Sequence, residues 1–209
     1  MELLDDVEVR VLGALIEKEA TTPEYYPLSL NALVNACNQK SNRDPVVEYD
    51  DATVRDAIEG LRAKKMAFVI EGSRVTKFSQ RLSETLNLGR RELAVLCILL
   101  LRGPQTLGEI KDRSERLYAF TDLEETDRVL QKLAEWPDGA LAMKLPRQAG
   151  HKEARYAHLL AGEPAADAGE PAATAKGGRL SELEQEVQQL RSELDELRRR
   201  FDELETQLR

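Results

Sequence analysis

Six cations fall within one 23-residue stretch of the chain: Arg55, Arg62, Lys64, Lys65, Arg74 and Lys77. Side chains of this type neutralise phosphate, so they are the nucleic-acid-binding candidates of the sequence. Asp50, Asp51, Asp56 and Glu59 stand among them. The plainer account is a solvated helix with Lys and Arg placed against the negative end of its dipole. A second group lies just upstream in NQKSNRDP, where Asn38, Gln39, Lys40, Asn42 and Arg43 combine amides with cations. Such a loop is either a solvated connector or a turn that contacts a ligand or a phosphate. Catalytic chemistry finds no foothold: there is no Gly-rich phosphate loop and no His/Ser/Cys constellation, and Glu17 and Glu19 are ordinary helix-end carboxylates. His151 and His158 have no Cys or His at ligand spacing, so no metal and no other cofactor is expected. The chain does not read as an enzyme.

The elements that must position these groups are legible around them. Val54, Ile58 and Leu61 recur at helical spacing behind a capping Asp51. Ala67 to Glu71 and Arg74 to Ser79 are short and rich in Val, Phe, Ile and Thr, and Gly72-Ser73 between them suits a two-residue hairpin turn. Arg55 and Arg62 point away from the apolar stripe. Upstream, Asp5 and Asp6 can cap a helix lined by Val7, Val11, Ala14 and Leu15, which Thr21-Thr22-Pro23 ends. Ser29 caps a second, carrying Leu30, Leu33, Val34 and Cys37 on one face. Helix, helix, helix and hairpin is the winged-helix arrangement.

After a bridge at Leu82 to Leu88 the order begins again. Arg90 to Arg102 is a helix, apolar almost all round, which implies burial on several sides. Thr106 with Glu109, and Thr121 with Glu124, read as capping boxes. The second opens a helix with Leu123, Leu130 and Leu133 inward, and strands follow at Ala140 to Pro146 and Ala154 to Leu160. The expected fold class is therefore mainly α with small β-hairpins (α+β): a winged-helix domain at 1–82, another at 83–160, and a tail. Units this small are marginal alone, so the two are expected to pack on each other.

Residues 161–178 (AGEPAADAGEPAAT and the run to Gly178) cannot build a core and read as a flexible linker. From 179 to 209 the spacing changes to a heptad seam of Leu180, Leu183, Val187, Leu190, Leu194, Leu197, Phe201, Leu204 and Leu208. Leu at every d position favours two strands. In a parallel pair, Arg179–Glu184, Glu186–Arg191, Glu193–Arg198 and Arg200–Glu205 all attract, whereas a fully overlapped antiparallel pair sets like charges together. A parallel homodimer is the expected partner state.

Charge limits the rest. The 209 residues carry a formal net charge of −8. Residues 1–80 hold 10 Lys/Arg against 14 Asp/Glu, and residues 81–160 hold 13 against 12. Contact with DNA must come from a patch rather than from overall charge. No apolar run approaches the roughly 20 residues of a membrane span, and MELLDDVE has no basic start of a secretory signal. Cys37 and Cys97 sit in apolar helical runs, as buried thiols of a reducing cytoplasm do.

Four stretches, TTPEYYPLSLNALVNACNQKSNRDPV (21–46), RVTKFSQR (74–81), LLLRGPQTLGEIKDRSERLY (99–118) and EARYAHLL (153–160), resemble the YceH-like family of uncharacterised bacterial proteins. The resemblance runs over about residues 4–160 and implies a tandem winged-helix fold in the bacterial cytoplasm, without catalytic residues to carry over. Two functions remain open. One is a dimeric DNA-binding regulator or architectural protein whose first winged helix enters the major groove. The other is a protein-interaction scaffold of acidic winged helices, since the matching helix of the second copy carries Asp122, Glu124, Glu125, Asp127 and Glu135 against Arg128 and Lys132. The sequence leans to the first.

Overall fold

The first helix, α1 (Asp6–Thr21), starts at a reciprocal capping box. Asp5 Oδ1 accepts the N–H groups of Val7 and Glu8 at 2.9 and 2.8 Å, and Glu8 Oε2 accepts the Asp5 N–H at 2.9 Å. These coordinates are a computed structural model that describes residues 2–71, 75–147 and 153–164. After a 3-10 turn at Pro23–Tyr25 come β1 (Leu28–Ser29), α2 (Leu30–Cys37) and α3 (Asp51–Ala63), then β2 (Ala67–Ile70) and β3 (Lys77–Gln80). A short α4 (Leu82–Thr85) leads to α5 (Arg90–Arg102), β4 (Gln105–Thr106), α6 (Leu107–Ser114), α7 (Leu123–Ala134), β5 (Ala142–Lys144) and β6 (Arg155–His158). The protein is thus mixed α+β, with seven α-helices and two three-stranded antiparallel sheets among the described residues.

The element order helix, short strand, helix, helix, strand, strand occurs twice, and both sheets repeat one topology, β1-β3-β2 and β4-β6-β5. The described residues nevertheless belong to one compact unit. Its buried apolar side chains form a single cluster from Leu4 to Leu160, and the boundary expected at 82/83 falls inside α4. α1 and α5 make the centre. Each is buried over more than one face, Val9 to Ile16 in α1 and Ala94 to Leu101 in α5. The two helices pack on each other, and Gly13 is where they come close. A Cβ there would stand 2.8 Å from Leu101 Cδ2, while the Cys97 thiol donates to the Gly13 carbonyl at 3.5 Å. Gly103, at φ 66°, then turns the chain out of α5, a conformation other residues adopt only at a cost.

Several expectations shift by a residue or a face. Asp50 rather than Asp51 caps α3, accepting the Thr53 N–H at 2.8 Å. Asp122 rather than Thr121 caps α7; Thr121 gives both its N–H and its hydroxyl to Glu125 at 2.9 Å. Leu123, expected inward, is the first residue of α7 and 49% exposed. β1 and β4, two residues each, add a third strand to each expected hairpin. β2 and β3 pair Ile70 with Lys77, so six residues lie between them, and the Gly72-Ser73 turn lies outside the described residues. So do Arg74, residues 165–178 of the linker and the whole coiled-coil seam, Leu183 to Leu204 included.

One buried base makes stability depend on pH. His158 on β6 has its Nδ1 enclosed without a hydrogen-bond partner, and burial pushes its pKa down to about 4 against a weak pull from Asp6. The folded ring therefore stays neutral where the unfolded one, at about 6.5, already takes a proton. The unfolded chain binds more protons between those values, so stability is lost as pH falls from about 6.5 to 4. Glu17, Glu92 and Glu109 have lowered pKa values and act only below the ordinary carboxylate range. Urea midpoints compared at pH 7 and pH 5 are expected to drop in the native chain and to change much less in His158→Leu.

Candidate functional site

α3 buries Val54, Ala57, Ile58 and Leu61, and this rotation turns Arg55, Asp56, Glu59 and Arg62 to water. The cations singled out in the sequence then separate. Arg62 lies 3.3 Å from Glu59, both side chains 58% exposed, a contact of the kind worth little in water. Lys64 is taken inward: its ammonium meets Glu8 Oε2, whose side chain is only 3% exposed. The same carboxylate caps α1, so it ties the start of α1 to the end of α3. Lys65 and Lys77 are exposed. The surface thus retains Arg55, Arg62, Lys65 and Lys77, faced by Asp51, Asp56 and Glu59.

The sheet beside them presents something else. In β2, Ala67 is buried and Val69 half-buried, while Phe68 is 50% and Ile70 39% exposed. Phe68 pairs across the ladder with Ser79, and Ile70 with Lys77, which pairs in turn with Ser29 of β1. Cross-strand partners share a face. The outer face therefore carries Phe68, Ile70, Ser79, Lys77 and Ser29, with exposed Val75 following in the chain. In the order β1-β3-β2, the far edge of β2 has no strand beside it among the described residues. The run AFVI reads as a short strand in the sequence; only its register tells which half of it faces out.

The 38–45 loop is held from inside. The buried Arg43 guanidinium grips Glu17 with two bonds of 3.0 and 2.7 Å, reaches the Ala36 carbonyl at 2.8 Å, and meets Gln39 Oε1 at 3.1 Å. Burial alone would raise the Glu17 pKa, but the bonds and charge of Arg43, then Lys18, bring it below the usual carboxylate range. Asn38 closes a second clasp, its Oδ1 accepting the Tyr49 N–H at 2.8 Å and its Nδ2 donating to the Tyr49 carbonyl at 2.7 Å. Arg10, also buried, donates to the Cys37 and Pro45 carbonyls. Of the five loop candidates, Asn38, Gln39 and Arg43 are spent on these clasps, and Lys40 and Asn42 remain at the surface. Asn42 accepts a bond from Arg102, a residue not singled out from the sequence.

On the second copy, α7 spends much of its acid internally. Asp127 accepts the Tyr156 hydroxyl at 3.0 Å, and Glu125 takes the two bonds from Thr121. Lys132 reaches Glu92 on α5 at 2.7 Å and lies over the Trp136 ring. Among the described residues no group of His, Cys, Asp and Glu is arranged to hold a metal, and no helix is long and apolar enough to cross a membrane. Cys37 and Cys97 are buried thiols with raised pKa, that of Cys37 about 12, which makes them poor nucleophiles.

Residues 4–151 match the family described as "Protein of unknown function, DUF480". The chain belongs to the DUF480 family. Among its relatives, a UPF0502 protein of Solibacter usitatus (strain Ellin6076) is 61% identical over 161 residues, which cover 77% of each chain. A UPF0502 protein of Opitutus terrae (strain DSM 11246 / JCM 15787 / PB90-1) is 56% identical over 164 residues, 78% of this chain and 71% of that one. A third, from Geotalea daltonii (strain DSM 22248 / JCM 15807 / FRC-32), is 58% identical over 167 residues, 79% and 76% of the two chains. The resemblance to an uncharacterised bacterial family holds at that level, although none of these three carries the YceH name. For a DUF480 chain, then, function has to be argued from its surfaces.

Proposed function

We propose that this DUF480 protein is a docking scaffold built from two winged-helix repeats, and that it works without catalysis. The observation that carries this is the outward Phe68–Ile70 pair on a strand whose far edge has no strand beside it among the described residues, next to a helix whose cations are nearly balanced by acid. Exposed apolar side chains grouped on one sheet face are the usual sign of a protein partner. The partner that fits is an extended segment laid along β2, with apolar side chains over Phe68 and Ile70 and acidic flanks near Lys65 and Lys77. Selection of peptides from a random library against the full chain is expected to yield alternating apolar sequences with acidic ends. These should bind at least tenfold more weakly to Phe68→Ser and Ile70→Ser.

Duplex DNA is the second reading, favoured by the exposed Arg55, Arg62, Lys65 and Lys77. Against it stand Asp50, Asp51 and Asp56 at the start of α3, where a groove-reading helix meets phosphate first. Random duplex that binds with a steep salt dependence, and loses affinity when Arg62 and Lys77 become Glu, decides for DNA and against the scaffold if the library yields nothing.

The heptad seam at 179–209 adds a parallel homodimer to either reading, presenting two copies of the surface. A chain with Leu208→Cys is expected to crosslink to itself readily and to sediment as a dimer. A monomer in the centrifuge sinks the pairing.

A further inference from the structure

A cavity of about 510 Å³ opens where the end of α1, the 38–45 loop, the end of α5 and α6 meet. Its size is that of a small-molecule site. Four cations line it: Lys18, Arg102, Arg113 and Arg116. Three acids line it too: Glu17 is already claimed by Arg43 from behind and by Lys18 at 3.3 Å, while Asp112 and Glu115 are exposed to water. Arg113 shares its charge with Glu109 at 3.1 Å. Arg102 and Arg116 have no carboxylate within 4 Å among the described residues, and the side-chain partner of Arg102 is the neutral amide of Asn42. Burial, then the charges of Arg113 and Arg43, lower the Arg102 pKa against the pull of Glu17 and Asp44. One wall is preset, because Arg43 and Asn38 hold the loop that offers Ser41 and Asn42. Leu101, Ile98 and Leu117 form the apolar floor.

We propose that this cavity binds a phosphorylated small molecule, its phosphate held by Arg102 and Arg116 with Arg113 and Lys18 at the sides, and its apolar body against Leu101 and Leu117. Guanidinium groups on α5, on α6 and just after α6 line one cavity, and together they suit a dianion with several acceptor oxygens better than a single carboxylate. The cavity is lined by residues of α1 and the α2–α3 loop in the first copy and of α5, α6 and the turn after α6 in the second, so a ligand there bridges the repeats. The site is independent of the docking face on β2.

Titration calorimetry of the full chain with adenosine 5′-monophosphate, inorganic phosphate and adenosine tests it. Adenosine monophosphate and phosphate are expected to bind and adenosine not to. Arg102→Gln and Arg116→Gln should each weaken the nucleotide at least tenfold while keeping the unliganded melting temperature, and Phe68→Ser should leave it unchanged. Arg116 is exposed, so its variant tests the site even if Arg102→Gln fails to fold. No heat from either phosphate compound at millimolar concentration, equal binding by adenosine, or unaltered affinity in the Arg116 variant overturns the proposal.

Discussion

Arg43→Ala is expected to lower the stability of the folded unit by about 3 kcal/mol, at the lower end of the roughly 3–5 kcal/mol measured when one partner of a buried ion pair is removed. The Arg43 side chain is fully enclosed, and its loss strands the Glu17 carboxylate and the Ala36 carbonyl together. Lys18, 3.3 Å from Glu17, recovers part of the charge balance, which is why the lower figure applies. The loss should appear in urea as a lower midpoint with an unchanged slope. Adding Glu17→Gln should return part of it, because no buried charge is then left alone; strictly additive losses would show that the two residues are not coupled. The pH dependence has a definite sign. Glu17 has a depressed folded pKa, so its contribution is present above the unfolded carboxylate value and is lost as pH falls through the folded one. In Arg43→Ala that acid-side loss should shrink.

Gly13→Val is the other large effect. The new Cβ would sit 2.8 and 2.9 Å from Leu101 Cδ2 and Cγ and 3.2 Å from Leu100 Cβ, in the seam between α1 and α5. Overpacking of this kind costs about 1–3 kcal/mol, and the second γ-methyl of valine pushes further into the same helix. Gly108 in α6 is the control, since a Cβ there meets nothing within 4 Å. Gly108→Ala should gain up to about 1 kcal/mol from helix propensity alone. Thermal unfolding of both variants separates close approach from backbone freedom: if Gly13→Val melts with the native protein, the α1–α5 seam is looser than its distances say.

What could be read in advance depended on repetition. Val54, Ile58 and Leu61, or the unbroken apolar run of α5, repeat over several turns, and both helices appear where expected. Caps slipped by one where two candidates adjoin, Asp50 with Asp51 and Thr121 with Asp122, because either side chain satisfies the rule and only the backbone decides. β1 and β4 are too short to show any period. The binding candidates were harder. An arginine in a polar loop looks the same whether it waits for a ligand or grips Glu17 from 26 positions away, and Arg43 does the latter. Lys64 likewise reaches back 56 positions to Glu8. Long-range partners leave no local mark, so the exposed Phe68 and the Arg102–Asn42 contact emerged only with the fold.

The α1–α5 seam has a practical consequence. A gene cut between the two repeats, at the short helix Leu82–Thr85, would yield halves that each lose the helix opposite their most apolar one. Neither product would be a faithful miniature, since both would display a greasy flank that the intact molecule hides. Work on one repeat alone would first require repainting that flank with polar residues.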